Sequence, residues 1–333
     1  MIDEKQRELL AQVAAKYYEQ DKSQNEIAEE MGLSRVKVYR LLKEARQENV
    51  VKILIDWPIE RDQEIERQLV QVFQLKKALV IKSNQLGEAV ALRRLGQMTA
   101  RYLEQILTDG MTLSICLGRS TYEVIHAVVP GFRAHVNVVQ AMGSIPFAIQ
   151  DMDGAALARQ LAQNLGGQVF YLTSPLMANS PEEADVLRRQ ILIERTLSAS
   201  RQADILLLGI GGLDPGTSRY VQAEVIPANK LRLLAEEGAV GDIGGQFFTL
   251  SGELHPCLYN QCMIGLSLGE MKQIPNTIAI ALGSHKVKAI LGGLRTGVID
   301  VLCTDLATAR GVLKLDREST KKDDPPWQTQ SAK

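Results

Sequence analysis

The stretch Ser23–Arg46, SQNEIAEEMGLSRVKVYRLLKEAR, decides how the N-terminal part of the chain folds. Ser23 and Glu26 form an S-x-x-E capping box, which predicts a helix starting at Gln24. Ile27, Ala28 and Met31 recur at helical spacing and give that helix an apolar face. Gly32 suits the left-handed conformation that ends a helix tightly. Leu33 fills the corner, and Ser34 caps a second helix that runs to Arg46. Two short helices joined by a glycine-containing turn form the helix-turn-helix that reads DNA.

The second helix separates into faces. Val38, Leu41, Leu42 and Ala45 follow the i, i+3, i+4, i+7 pattern and turn toward the first helix. At about 100° per residue, Val36, Arg40 and Lys43 point away from that face. Arg40 suits a bidentate contact to a guanine edge, and Val36 suits a thymine methyl. Ser34, Arg35, Lys37, Tyr39 and Lys43 complete the candidate DNA-binding set, with Arg35, Lys37 and Lys43 assigned to phosphates. A solvated helical hairpin with a basic face is the bland alternative. Residues 1–50 hold nine Lys/Arg and ten Asp/Glu, so the positive charge is local. One such head binds DNA weakly, and dimerisation is needed to multiply phosphate contacts.

The 333 residues suffice for a small domain and a large one. A net charge of −1 excludes a polybasic coat, so a nucleic-acid site must be a patch. No apolar run has the length of a membrane span, the start MIDEKQRELL is no signal peptide, and four cysteines suit a reducing cytoplasm. The expected location is therefore cytoplasmic. His255, Cys257 and Cys262 lie close together, but H-x-C-x4-C lacks a second ligand pair, so no metal and no cofactor are assigned.

A helix over Glu4–Gln20 braces the helix-turn-helix, with Leu9, Leu10, Val13, Ala14 and Tyr17 on its apolar side. A β-rich run spans Val50–Ile55. Glu60–Phe73 reads as a connecting helix, either a dimer contact or an element docked on the second domain. From Ala78 the chain alternates. Strand-like runs are Ala78–Ile81, Thr112–Leu117, Val136–Gln140, Val169–Tyr171, Ile205–Ile210, Thr277–Leu282 and Val298–Cys303. Helical segments include Glu88–Leu107, Ala155–Leu165, Glu182–Ser198, Lys286–Leu294 and Leu306–Leu313. This alternation predicts a parallel sheet covered on both faces, with ligands bound beyond the carboxyl ends of its strands. The tail from Arg317 is polar and Pro-containing and reads as disordered. The expected domains are 1–56 (DNA binding), 57–77 (connecting helix), 78–316 (effector binding and oligomerisation) and 317–333 (tail).

Several strand ends carry candidate ligand chemistry. Gly118-Arg119-Ser120-Thr121 follows a strand and precedes a helix expected near Tyr122, which makes an anion site or an ordinary βα turn. Gly143-Ser144 and the Gly209–Gly212 loop permit close approach by a ligand, or simply tight packing. In Gly283-Ser284-His285-Lys286, Ser284 caps the next helix and Lys286 neutralises a phosphate or forms a Schiff base. In the loop GAVGDIGGQFFTLSGEL, Asp242 is an acceptor for sugar hydroxyls or the centre of an Asx turn.

With GRST, GDI-x-G-x-FF and K-x-x-AI-x-G-x-L-x-x-G-x-I-x-x-L-x-T-D in hand, the chain from Glu4 to Leu315 resembles the SorC family of bacterial transcriptional regulators. The resemblance implies an α/β architecture: an all-α helix-turn-helix head and a Rossmann-like parallel-sheet sugar-binding domain related to phosphosugar isomerases. It implies a sugar or phosphorylated sugar as effector, a homodimer or homotetramer, and double-stranded operator DNA with pseudo-palindromic half-sites. By position, Gly118, Arg119, Ser120 and Thr121 match the phosphate loop, and Asp242 and Lys286 match pocket positions. Gly143, Gly211 and Gln246 complete the candidate effector site. The chain departs from the family pattern at Ser284 and Thr249 and near Cys116–Leu117. The expected function is control of a carbohydrate-utilisation operon, with no catalytic residue assigned. The alternative is a phosphosugar isomerase-like enzyme with an accessory DNA-binding head, in which Asp242 is the one candidate base.

Overall fold

The computed structural model describes residues 3–323 except 49, 52–56, 84–86, 117, 130, 131, 133 and 146–153. The chain divides into two compact units, Met1–Trp57 and Pro58–Lys333.

The first unit is three helices: α1 (Glu4–Tyr18), α2 (Gln24–Met31) and α3 (Arg35–Gln47). Their starts are set by side chains. Asp3 accepts the Gln6 N–H at 2.7 Å, and Ser34 accepts the Lys37 N–H at 3.2 Å. Ser23 and Glu26 bond each other's backbone in a complete capping box. Gly32 ends α2 at φ +63°. Leu10, Val13, Ala14, Ile27, Ala28, Val38, Leu41, Leu42 and Ala45 form its core. Burying each of the larger ones stabilises the unit by about 1.5–3 kcal/mol. The β-rich run expected at Val50–Ile55 falls mostly outside the described residues, and Val50 and Val51 form a bend.

The second unit is built on a sheet. In chain order its framing elements are α4 (Gln63–Phe73), β1 (Lys77–Ile81), α5 (Glu88–Ile106), β2 (Thr112–Ile115), α6 (Arg119–Ala127), β3 (Val136–Gln140), α7 (Gly154–Leu165), β4 (Gly166–Phe170), β5 (Ile205–Gly212), β6 (Ala239–Ile243), β7 (Gln246–Thr249), β8 (Asn276–Ile280) and β9 (Val301–Asp305). Seven strands pair in parallel in the order β1-β9-β8-β5-β2-β3-β4. Successive residues of these strands enter opposite cores. Leu79, Ile81, Ile205, Leu207, Ile278 and Ile280 lie in one cluster, and Val80, Leu206, Leu208 and Ala279 in the other. Both faces are covered, as apolar strands in a parallel sheet require. Helix α4 packs on β1 within this unit. Its Glu66 is buried and accepts from Arg61 (2.8 and 2.7 Å) and from the Val80 N–H (2.9 Å).

Five local expectations are corrected. The loop expected around Asp242 is an antiparallel hairpin, β6–β7, turned by Gly244 and Gly245 at φ +57° and +85°, the two-residue geometry that matches strand twist. Gly209–Gly212 is not a loop but the end of β5, where Gly211 and Gly212 pair with Asp242 and Gly241 of β6. The segment Glu182–Ser198 is two helices, Pro181–Arg188 and Ile191–Arg201, separated by Gln190 in an extended conformation. Ser284 does not cap a helix. It opens a one-turn 3-10 helix, Ser284–Lys286, ahead of the helix Val287–Arg295, and Gly283 at φ +111° makes the entry. The tail expected to be disordered from Arg317 instead continues the last helix, Leu306–Asp323. Arg295 holds it by bonding Asp316 Oδ1 and Ser319 Oγ, both at 2.7 Å. Residues 324–333 of that tail lie outside the described residues.

Candidate functional site

Strands β2 and β5 are neighbours, yet the next parallel strand after β2 is β3 on one side and the next after β5 is β8 on the other. Their carboxyl ends therefore open a crevice, the usual ligand position in such a sheet. A cavity of about 420 Å³ occupies it. Gly118, Arg119 and Ser120 after β2, Gly211 of β5, Asp242 of β6 and Lys286 before the helix Val287–Arg295 all line it.

The GRST segment forms the first wall. Gly118 is extended (φ −165°) and α6 starts at Arg119, three residues before the expected Tyr122. Thr121 does not line the cavity. Its buried hydroxyl accepts the Gly118 N–H at 2.8 Å and lies 3.1 Å from the Cys116 carbonyl, so it fixes the turn from within. The first amides of α6 have no intrahelical acceptor, and a helix N-terminus favours an anion. Arg119 is half exposed at this end.

The hairpin forms the second wall. Asp242 is 5% exposed and accepts from the Tyr220 hydroxyl at 2.5 Å and the Gly245 N–H at 3.0 Å. A Cβ on Gly211 would stand 1.8 Å from Asp242 Oδ1, so only glycine lets the carboxylate lie across β5. Burial pushes the Asp242 carboxyl above its usual range, against the opposing pull of Tyr220, Gly245 and Lys286. Burial likewise pushes the Tyr220 phenol well up. Lys286 donates from Nζ to the Ile210 carbonyl at 3.0 Å, and its burial lowers the ammonium pKa.

Two other candidates lie apart from the cavity. A Cβ on Gly143 would stand 2.2 Å from the Pro175 carbonyl oxygen, so this glycine serves backbone packing. Gln246 is buried and donates to the Asn260 carbonyl at 3.4 Å. Sequence reasoning passed over Glu88, Tyr220 and Met142, all of which line the cavity. Tyr220 follows the small-residue run Gly216-Thr217-Ser218, a signal available in the sequence. Glu88 had only its place at a helix start.

In the first unit, Ser34, the cap of α3, and Arg35, Val36, Lys37, Tyr39, Arg40 and Lys43 on α3 are all exposed, while Val38, Leu41, Leu42 and Ala45 form its buried face. Val36 and Tyr39, 59% and 52% exposed, are apolar or aromatic groups left in solvent on an otherwise basic face. Elsewhere, His255 bonds the Glu237 carbonyl, and Cys257 and Cys262 are buried free thiols. Among the described residues no group of three His, Cys, Asp or Glu is placed to hold a metal ion.

A family model of a sugar-binding domain, Sugar-bind, matches residues 57–314, most of the chain. The chain is 31% identical over 317 residues to the transcriptional regulator LsrR of Enterobacter sp. (strain 638), covering 93% of this chain and 94% of that one. The full-length sorbitol operon regulator SorC from Klebsiella pneumoniae superposes with a TM-score of 0.69 at 25% identity, covering 93% of this chain and 99% of that one. The chain belongs to the SorC family. LsrR of Escherichia coli K12 is 29% identical over 314 residues, again 93% of this chain and 95% of that one. These relatives are named as regulators and not as enzymes. This SorC-family member is accordingly a sugar-responsive transcriptional regulator, and the isomerase-like alternative is set aside. No helix among the described residues is long and apolar enough to cross a membrane.

Proposed function

We propose that the cavity at the β2–β5 crevice is the effector site and that it takes a phosphorylated sugar. The phosphate sits at the start of α6 against Arg119 and Lys286, and Asp242 accepts from the sugar hydroxyls. The observation that carries this reading is convergence. Gly118, Arg119, Ser120, Gly211, Asp242 and Lys286 come from four separate segments and line one cavity.

Residues 1–56 form the DNA-binding head, with Arg40 and Val36 reading base edges and Arg35, Lys37 and Lys43 holding phosphates. The protein acts in the cytoplasm as a homodimer or homotetramer on double-stranded operator DNA with pseudo-palindromic half-sites. The effector alters the relative placement of two heads and so the occupancy of the operator. The regulated genes are those of a carbohydrate-utilisation operon.

The test is a thermal-shift screen of the purified protein against paired free and phosphorylated sugars. A ligand of the folded state at a hundred times its Kd adds about 2.7 kcal/mol. Stabilisation by the phosphorylated member of a pair, lost in Lys286→Ala, is the expected outcome. Stabilisation by the free sugar alone would remove the phosphate from the proposal and leave Asp242 as the residue to mutate next.

A further inference from the structure

Glu88 is the first residue of α5 and lies on the cavity wall. One carboxylate oxygen is 3.9 Å from Arg119 Nη1, and the other is 4.0 Å from His285 Nδ1. Both separations exceed hydrogen-bond length, so Glu88 acts on these groups through its field and is not clamped by them. Its field also reaches Lys286, where it favours the charged ammonium. The acidic and basic side chains of the wall are Glu88, Arg119, Arg219, Asp242, His285 and Lys286, beside the Tyr220 phenol and the Cys116 thiol, which burial holds in their neutral forms. Asp242 is buried and already engaged by Tyr220 and Gly245. Glu88, with about half of its side chain exposed (49%), is the wall's one accessible anion among the described residues.

A carboxylate in the first turn of a helix has an ordinary use, since it complements the helix dipole. Here it also stands where an entering anion must meet it. An anion drawn by Arg119 and Lys286 finds their charge partly offset and Glu88 itself repelling. The cost scales with the ligand's charge. Resting on the reading of Arg119 and Lys286 as phosphate partners, we propose that Glu88 is a specificity-determining residue that caps the negative charge the cavity accepts. It admits a single phosphate and discriminates against ligands that carry more.

The experiment uses the full chain, with inorganic phosphate and inorganic pyrophosphate as probes at neutral pH and low salt, binding read by calorimetry. Glu88→Gln keeps the side chain's shape and hydrogen-bonding capacity and removes the charge. Phosphate is expected to bind roughly tenfold tighter to this variant, and pyrophosphate to gain severalfold more than that. Added salt is expected to shrink both gains, because the rim groups are exposed. Glu88→Asp, which keeps the charge, is expected to retain the wild-type preference for phosphate over pyrophosphate. Equal gains for the two anions, no gain, or weaker binding of both to Glu88→Gln would each overturn the role assigned to Glu88. Arg119→Ala and Lys286→Ala separate this from the parent reading. If they weaken phosphate binding while Glu88→Gln changes nothing, only the Glu88 proposal falls. If neither affects phosphate binding, the phosphate site itself is wrong and Glu88 falls with it.

Discussion

Asp242 and Lys286 share one difficulty, which is that each is a charged group held out of water. Lys286 has its ammonium pKa lowered by burial, so the folded state binds its proton less readily than the unfolded chain does. Its contribution to stability is therefore unfavourable at neutral pH and improves as pH rises toward the unfolded value. Lys286→Met is predicted to raise ligand-free stability by about 1 kcal/mol, a rise of about 2–4 °C in Tm for a unit of this size. It is also predicted to abolish the effector response. A variant that loses stability would mean that the Nζ–Ile210 carbonyl bond outweighs the desolvation. Asp242 has the opposite sign. Its raised pKa means that the folded state binds more protons than the unfolded chain, so stability from this group falls as pH rises from the ordinary carboxyl value of 3.8 through the raised one. Asp242→Asn keeps an oxygen to accept from Tyr220 and Gly245. Urea midpoints measured from pH 4 to 7 are predicted to move in favour of this variant as pH rises and then level off. A difference independent of pH would show that the carboxylate is not desolvated. The carboxylate and the lysine were legible from the sequence as single residues. Their meeting in one wall was not, and the burial of Asp242 depends on Gly211, whose missing side chain makes the room.

At the scale of elements, legibility follows the range of the interactions. The three N-terminal helices were readable because every cap, turn and core position lies within a few residues of the others, and local chemistry settles them. The hairpin β6–β7 was not readable, since its first strand is ordered by pairing with the end of β5, far away in sequence. A run of glycines around one aspartate gives no periodicity, so it resembled a loop. The last helix was missed past Arg317 for a related reason. Its polar sequence lacks a core pattern, and Arg295, from another helix, holds it. Helix α3, proposed to read the operator, yields two separable predictions. Ser34→Ala removes the cap on Lys37 and is predicted to cost about 1 kcal/mol of stability, weakening all DNA sequences alike. Arg40→Ala leaves the fold intact, since Arg40 is exposed. It is predicted to cost about 1–3 kcal/mol at the operator and to relax preference at one base pair. Competition binding against a panel of single-base operator variants checks this, and an unchanged preference would mean that another residue reads the base.

For the whole molecule, charge is what supports the proposal of two heads acting together. Residues 1–50 carry nine basic and ten acidic side chains, so attraction to DNA rests on the exposed basic face of α3 alone. With Arg35, Lys37 and Lys43 as phosphate contacts, two heads neutralise about six phosphates, and log K is predicted to fall with log salt at a slope of about −5. On a duplex with one half-site scrambled, the slope is predicted to stay while affinity falls, because phosphate contacts carry no sequence information. A slope near half the predicted one on the intact operator would mean that a single head binds. In the proposed scheme the effector acts on this paired state, and linkage fixes what must be seen. If the effector changes operator affinity by some factor, the operator changes effector affinity by the same factor. A coupling of about 1–3 kcal/mol makes that factor roughly 5 to 150. Titrating effector into free protein and into the protein–operator complex measures it from one side, and titrating operator with and without effector measures it from the other. In Lys286→Met both factors are predicted to collapse to one together, while operator affinity in effector-free buffer is unchanged. Unequal factors in the wild-type protein would mean that effector and operator also change the oligomeric state, so the heads would be controlled through assembly and not through their placement.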